Sequence, residues 1–326
     1  MTEDIQQPNG DFLKNYPDVT RVEVITDTGR EFVRYECSNV QVSLQDDGQT
    51  LKVFLFNNSG FDEKNKKVNN LINFPTVNCI TLQSSKQRQE FILKQTEKYG
   101  VKCKFLYAYD GINNTLEDLA KVDSPFLHDM NIGEICAVIS HLKAIGEWYY
   151  GTEEKYGFFC EDDVLLELNE NWNFTWDEFI HKLPENWGII QLSLIREFEN
   201  TDDIDNNLKF HNFVWDNWSA CSYIISRNYA KKLIETHIKG LDSYNLFLPF
   251  YPNTTPYIEN VLYNVDGKVS AYTLPLFVEN TNFNSSFYPK FLETELKNYQ
   301  EKSSQMIANW WQTYGKDKSI DWFFDE

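Results

Sequence analysis

From residue 73 onward the chain alternates short, largely apolar runs with helix-period stretches, and this alternation constrains the fold more than any other feature. Residues 77–82, 157–160, 188–192 and 221–225 have the length and apolar character of strands buried on both faces. The segments between them read as helices. Ser84-x-x-Gln87 is a capping-box signal for a helix that carries Phe91 and Ile92 and ends at Gly100. Asn131-x-x-Glu134 opens a second helix, with Ile135, Val138, Ile139, Leu142 and Ile145 on one stripe. Ser226 caps a third over 227–237. Strands that alternate with helices predict an α/β domain around a largely parallel sheet.

The flanks differ. Residues 21–26, 31–35, 39–44 and 51–56 show partial period-two alternation, separated by Asp27-Thr28-Gly29 and Asp46-Asp47-Gly48, which predicts a small all-β meander. Residues 57–73 are polar and without period, a candidate linker with a boundary near 72. Residues 287–314 read as helix, and an aromatic-acidic tail follows. The expected organisation is a β-rich domain over 1–72, an α/β domain over 73–286 and a helical extension over 287–326.

Composition bounds the function. Of 326 residues, 49 are acidic and 30 basic, a formal net charge of −19 that repels phosphate backbones and anionic lipid and argues against nucleic-acid partners. The acidity is uneven: residues 73–140 hold 7 basic and 8 acidic residues, residues 141–326 hold 15 and 29. Apolar residues at 42% exclude a disordered chain. No apolar run approaches the ~18 residues of a membrane helix. The start lacks a basic and then apolar leader, and the six cysteines are scattered without a CxxC pair, so the expectation is a cytoplasmic protein with reduced thiols.

The sharpest local feature is Glu161-Asp162-Asp163, three carboxylates at the end of a buried strand. Ligands of α/β sheets bind at such strand ends. On extended backbone Glu161 and Asp163 share a face while Asp162 points away, and two convergent carboxylates suit a hard divalent ion. A solvated acidic turn explains the same run. Glu134 and His141, seven apart, lie on one helix flank beside the apolar stripe. A hydrogen-bonded packing histidine explains His141 equally well.

Together these features resemble glycosyltransferase family 25, which includes bacterial lipooligosaccharide β-galactosyltransferases and collagen galactosyltransferases. The family's opening "INLDRxxxR" is matched by Val77-Asn78-Cys79-Ile80-Thr81-Leu82 and Ser84-Ser85-Lys86-Gln87-Arg88, and its "A-x-DG" by Ala108-Tyr109-Asp110-Gly111. Its "GEIGCxxSHLKxW" resembles Gly133-Glu134-Ile135-Cys136 through Ser140-His141-Leu142-Lys143, and its "LEDD" resembles Cys160-Glu161-Asp162-Asp163. A later "AYxISxxGAKKLL" is similar to the stretch from Cys221 to Ile234, and "PxD…Y…P" to Pro256-Tyr257-Ile258-Glu259 with Tyr272 and Pro275. Glu259 stands where an aspartate is usual, and the first segment lacks the family's aspartate. The matches keep the family's order from about residue 75 to 282.

The resemblance implies a GT-A-like fold, a Rossmann-like mixed sheet flanked by helices. It implies an inverting transfer of galactose or glucose from a UDP-sugar to a hydroxyl of a glycan, lipopolysaccharide or protein acceptor. A Mn²⁺ or Mg²⁺ ion held by Glu161 and Asp163 would neutralise the departing diphosphate. Asn78, Arg88, Asp110, Glu134, His141, Glu161 and Asp162 fall on the donor side. Glu259 is the candidate base that takes the acceptor proton, with Asp163 as its catalytic partner. Trp215, Trp218 and Tyr244 are the candidate acceptor aromatics. A two-carboxylate glycosidase and a glycan-binding module with an inactive GT-A fold are the competing readings.

Overall fold

The computed structural model describes residues 69–199, 201–283 and 290–325, together with six strands between residues 4 and 56. The chain divides into two compact units, Met1–Lys67 and Val68–Glu326. In the first, Asp4–Gln6, Phe12–Pro17, Asn39–Leu44 and Leu51–Phe56 form an antiparallel four-stranded sheet in that order, and Val22–Val24 pairs with Val33–Tyr35. The sequence pattern misses the first two strands. Asp4–Gln6 is three residues long, and Phe12–Pro17 carries Asn15 and ends on a proline, both poor strand formers. The expected turns at 27–29 and 46–48 and residues 57–68 of the expected linker lie outside the described residues.

The second unit is built on a mixed sheet. Its main strands are β1 (Val77–Thr81), β2 (Cys103–Tyr107), β3 (Tyr156–Glu161), β4 (Ile189–Ser193), β5 (Ser222–Ser226) and β6 (Ala271–Glu279). Their order across the sheet is β6-β4-β5-β3-β1-β2, with Val164–Leu165 on the outer edge of β6. β3, β1 and β2 run parallel to one another, as do β4 and β6. β5 is antiparallel to both neighbours, pairing Phe159 with Tyr223 and Ile190 with Ile224. The main strands are thus largely parallel, as expected, with one exception at the centre: the 194–221 connection turns back and feeds β5 in reverse. Strand period carries no direction, so the sequence pattern is the same either way.

Helices cover both faces. α1 (Lys86–Tyr99) stops where Gly100 takes φ +65°, its N–H bonded to Glu97 O and the next N–H to Thr96 O. The expected capping box at Ser84 does not form; the helix begins two residues later, and the side chain of its N-cap, Ser85, makes no capping bond. α2 (Ile132–Gly151) does carry its box: Glu134 N donates to Asn131 Oδ1 at 3.0 Å, and Asn131 N to Glu134 Oε2 at 2.8 Å. α2, α3 (Arg227–His237) and α4 (Ile258–Tyr263) bury Ile139, Leu142, Leu233 and Tyr263 on the sheet face that holds Phe159 and Tyr223. The opposite face, with Phe158, Leu192 and Phe277, is covered by Ile92 of α1, by the helix Trp176–Lys182, and by Trp310 and Trp311 of α5 (Lys290–Thr313). The C-terminal helical part thus shares the core of this unit. Two helical layers around a buried mixed sheet are a Rossmann-like arrangement of the GT-A kind.

β6 is the longest strand of this sheet, and the sequence pattern hides it because Pro275 interrupts it. The structure absorbs the proline in a bulge. The ladder passes from Gln191↔Thr273 to Ser193↔Phe277, so Pro275 falls in the irregular stretch, and its carbonyl accepts Trp311 Nε1 at 3.1 Å. Among the described residues, no helix is long and apolar enough to cross a membrane.

Candidate functional site

A cavity of about 410 Å³ opens at the carboxyl ends of β1 and β3. Its floor is Thr81, Leu82 and the 161–163 turn; one wall is the 108–112 loop with the first turns of α2. The other wall is made by 218–221, by Tyr257 to Glu259 at the start of α4, and by Glu279 to Thr281 after β6. Gly111 permits the close approach of the 108–112 loop: a Cβ there would stand 3.0 Å from Ile132 O.

The cavity gathers nine of the residues singled out in the sequence: Arg88, Asp110, Glu134, His141, Glu161, Asp162, Asp163, Trp218 and Glu259. Asn78, Trp215 and Tyr244 are not among its lining residues. Asn78 is buried in the sheet, donating from Nδ2 to Phe158 O at 3.0 Å. Tyr244 is buried with its hydroxyl 3.2 Å from that of Tyr109. Trp215 stacks edge-on against Tyr251 and carries Lys268 Nζ 3.5 Å from its ring centroid.

The three consecutive carboxylates have three environments. The expected strand alternation stops at Glu161, the last residue of β3: Asp162 is buried, accepting Arg88 Nη1 at 2.5 Å and Thr81 Oγ1 at 2.5 Å, and shares that guanidinium with Asp163 rather than pointing away from it. Burial raises its pKa against the pull of Arg88. Asp163 stands 3.3 Å from the same guanidinium nitrogen and 3.6 Å from Cys221 Sγ. Burial and then the charge of Glu161 push its pKa up to about 7. Glu161 faces His141, Nε2 to Oε1 3.3 Å, while His141 Nδ1 lies 3.0 Å from Tyr223 OH. His141 is therefore both packed and aimed at a cavity carboxylate.

Across the cavity, Glu259 Oε1 accepts the N–H of Ser219 at 3.0 Å, and burial raises its pKa. Glu134 and Asp110 reach the cavity with their carboxylates already engaged, the one in the α2 cap, the other accepting the N–H groups of Ile112 and Asn113. Asp110 is held below the ordinary carboxyl range by Asn113 first of all.

Sequence reasoning missed Glu279. Its carboxylate accepts Ser219 Oγ at 2.7 Å, and burial followed by the charge of Asp163 holds its pKa well above the usual range. The signal existed: like Glu161, Glu279 closes an apolar run, here Leu276-Phe277-Val278. Glu161, Asp163, Glu259 and Glu279 thus form a carboxylate-rich cavity in which the charge of Glu161 disfavours ionisation of the other three. Among the described residues, no three or more His, Cys, Asp or Glu side chains are arranged as a metal-binding group.

The sheet, its helical layers and a carboxylate cavity at the strand ends define a Rossmann-like architecture of the GT-A kind with its cavity where such sheets bind ligands. A family model for glycosyltransferase family 25, described as lipopolysaccharide biosynthesis protein, matches residues 74–242. The chain belongs to glycosyltransferase family 25, so it has a sugar donor and an acceptor. No curated protein matches it. Glu259 and Glu279 lie beyond the matched residues.

Proposed function

We propose that this chain is an inverting hexosyltransferase that moves galactose or glucose from a UDP-sugar to an acceptor hydroxyl, in a reaction assisted by Mn²⁺ or Mg²⁺. The observation that carries the reading is the convergence of Glu161, Asp163, Glu259 and Glu279 in one cavity at the strand ends, where burial and mutual charge raise the pKa of three of them. Carboxylate oxygens are the ligands hard divalent ions take, and a cation would relieve the repulsion that adds to burial in raising these pKa values. The donor set therefore fits such an ion in type, with Asp163 and Glu161 as its holders. A bound ion would neutralise charge on the departing diphosphate.

The protein side chains do the rest. Arg88 steadies the 162–163 turn and offers a guanidinium at the mouth of the first βα unit, suited to phosphate. His141 orients Glu161. Glu259, kept in place by the Ser219 amide, takes the proton of the attacking hydroxyl at its carboxylate as the acceptor oxygen adds in line. A raised pKa makes it a better base at neutral pH than an ordinary carboxylate. Trp218, 48% exposed at the cavity wall beside Tyr257, gives the acceptor sugar a face to stack on. Trp215 and Tyr244 stand off the cavity lining, and the acceptor role falls to Trp218 and Tyr257.

The test is release of UDP from a panel of UDP-sugars, with and without Mn²⁺. Release from UDP-galactose or UDP-glucose that depends on the ion and on an added glycan acceptor supports the reading. Release from none of them refutes it.

A further inference from the structure

Ser219 is buried, and its backbone sits at φ +110°, a conformation in which glycine is the ordinary choice. The position nevertheless holds a residue with a hydroxyl, and each polar group of that residue has a separate target. The N–H donates to Glu259 Oε1 at 3.0 Å. The carbonyl accepts Gln191 Nε2 at 2.8 Å and Tyr263 OH at 3.4 Å. The hydroxyl is fully committed: Oγ donates its one proton to Glu279 Oε1 at 2.7 Å and accepts Cys221 N–H at 3.1 Å. Ser193 Oγ, which accepts Ser222 N–H, lies 3.0 Å from Ser219 Oγ and is the donor of that pair while Ser219 gives its one proton to Glu279.

A strained residue persists where surrounding structure over-determines it, and such strain clusters at functional sites. Glycine would relax the backbone and keep the amide for Glu259, but the hydroxyl bond to Glu279 would be lost. Serine is among the few residues that serve both carboxylates.

We propose that Ser219 is a positioning residue that fixes two cavity carboxylates, Glu259 through its amide and Glu279 through its hydroxyl, at a set separation. Glu259 and Glu279 come from different elements, α4 and β6, both outside the family-matched residues, and Ser219 inside them ties the two together. Its part in transfer rests on the hexosyltransferase reading; the placement itself does not.

The experiment uses Ser219→Gly, which deletes the hydroxyl and releases the strain, and Ser219→Ala, which deletes the hydroxyl and keeps it. In crystal structures of the wild type and either variant that folds, Glu259 is expected to stay on the residue-219 amide while Glu279 leaves its wild-type position. A Glu279 carboxylate that stays in place overturns the proposal. With a donor that the wild type uses, kcat is expected to fall about tenfold or more with donor KM within about twofold, and adding Glu279→Gln to Ser219→Gly to cost nothing beyond Glu279→Gln alone. An unchanged kcat in a folded variant, or fully additive losses, overturns the catalytic part. A wild type that turns over no donor refutes the hexosyltransferase reading instead, and the crystallographic comparison still decides the positioning.

Discussion

Asp162 and Asp163 are adjacent carboxylates with opposite consequences on removal. Asp162 is the buried partner of Arg88, so Asp162→Ala leaves a guanidinium short of its nearest counter-charge and is expected to destabilise the fold by about 3 kcal/mol. Thermal unfolding checks this. Asp163 makes longer contacts and is half-buried, so Asp163→Ala should unfold close to wild type while turnover falls by about 10² or more. Near wild-type turnover would remove Asp163 from the site. Glu259→Gln should keep UDP affinity and lower turnover by roughly 10² to 10⁴, because a base acts on the acceptor and not the donor. Restoration by high Mn²⁺ would instead make Glu259 a metal ligand. The acidic run and its place at a strand end are legible in sequence. The partners of Asp162 are not, since Thr81 and Arg88 reach it only through the pairing of β1 with β3, and strand alternation does not apply to a turn that begins after Glu161. Ser219 is hidden for the same reason: its role comes from φ +110° and from partners 40 and 60 residues away.

Elements were legible to the degree that their signals are local. The α2 cap and stripe stand as the sequence predicts, and Asn131→Ala should cost about 1 kcal/mol in denaturant unfolding, the usual worth of such a cap. No measurable loss would mean that tertiary packing alone sets the start of α2. β2 escaped the sequence reading because it is an edge strand in which only Leu106 is buried, and β6 because of Pro275. The reversed β5 is a property of the 194–221 connection, which no window over the strand contains. Two of these unread features shape the cavity: β6 delivers Glu279, and the end of the connection into β5 delivers Trp218, Ser219 and Cys221.

At the scale of the whole molecule, the carboxylate cavity couples stability to pH. Burial pushes the Asp163 carboxyl up to about 7, and Asp162, Glu259 and Glu279 are also raised, burial leading in each case. Each binds its proton more tightly in the folded chain than in the unfolded one. These groups therefore oppose folding increasingly as pH rises from the ordinary carboxyl range through about 7, and they do not below that range. His211 and His237, held below the ordinary imidazole range by burial, work the other way up to about pH 6.5, so the melting temperature without divalent ions should fall between about pH 6.5 and about pH 8, and Mn²⁺ should shrink the fall. A melting temperature that rises over this interval would mean that the cluster is not strained by its own charge. Removal of residues 1–67 should leave Val68–Glu326 folded, since the chain divides there, with a cooperative melt as the check.

The account stands most directly on whether the strand-end cavity takes a uridine diphosphate together with a divalent ion. Calorimetric titration of UDP into the wild-type chain, with and without Mn²⁺, and into Asp163→Ala measures this in one series. Binding that strengthens with Mn²⁺ in the wild type, and loses that dependence in Asp163→Ala, is the expected result. UDP that fails to bind, or binds equally with and without the ion in both proteins, would contradict it.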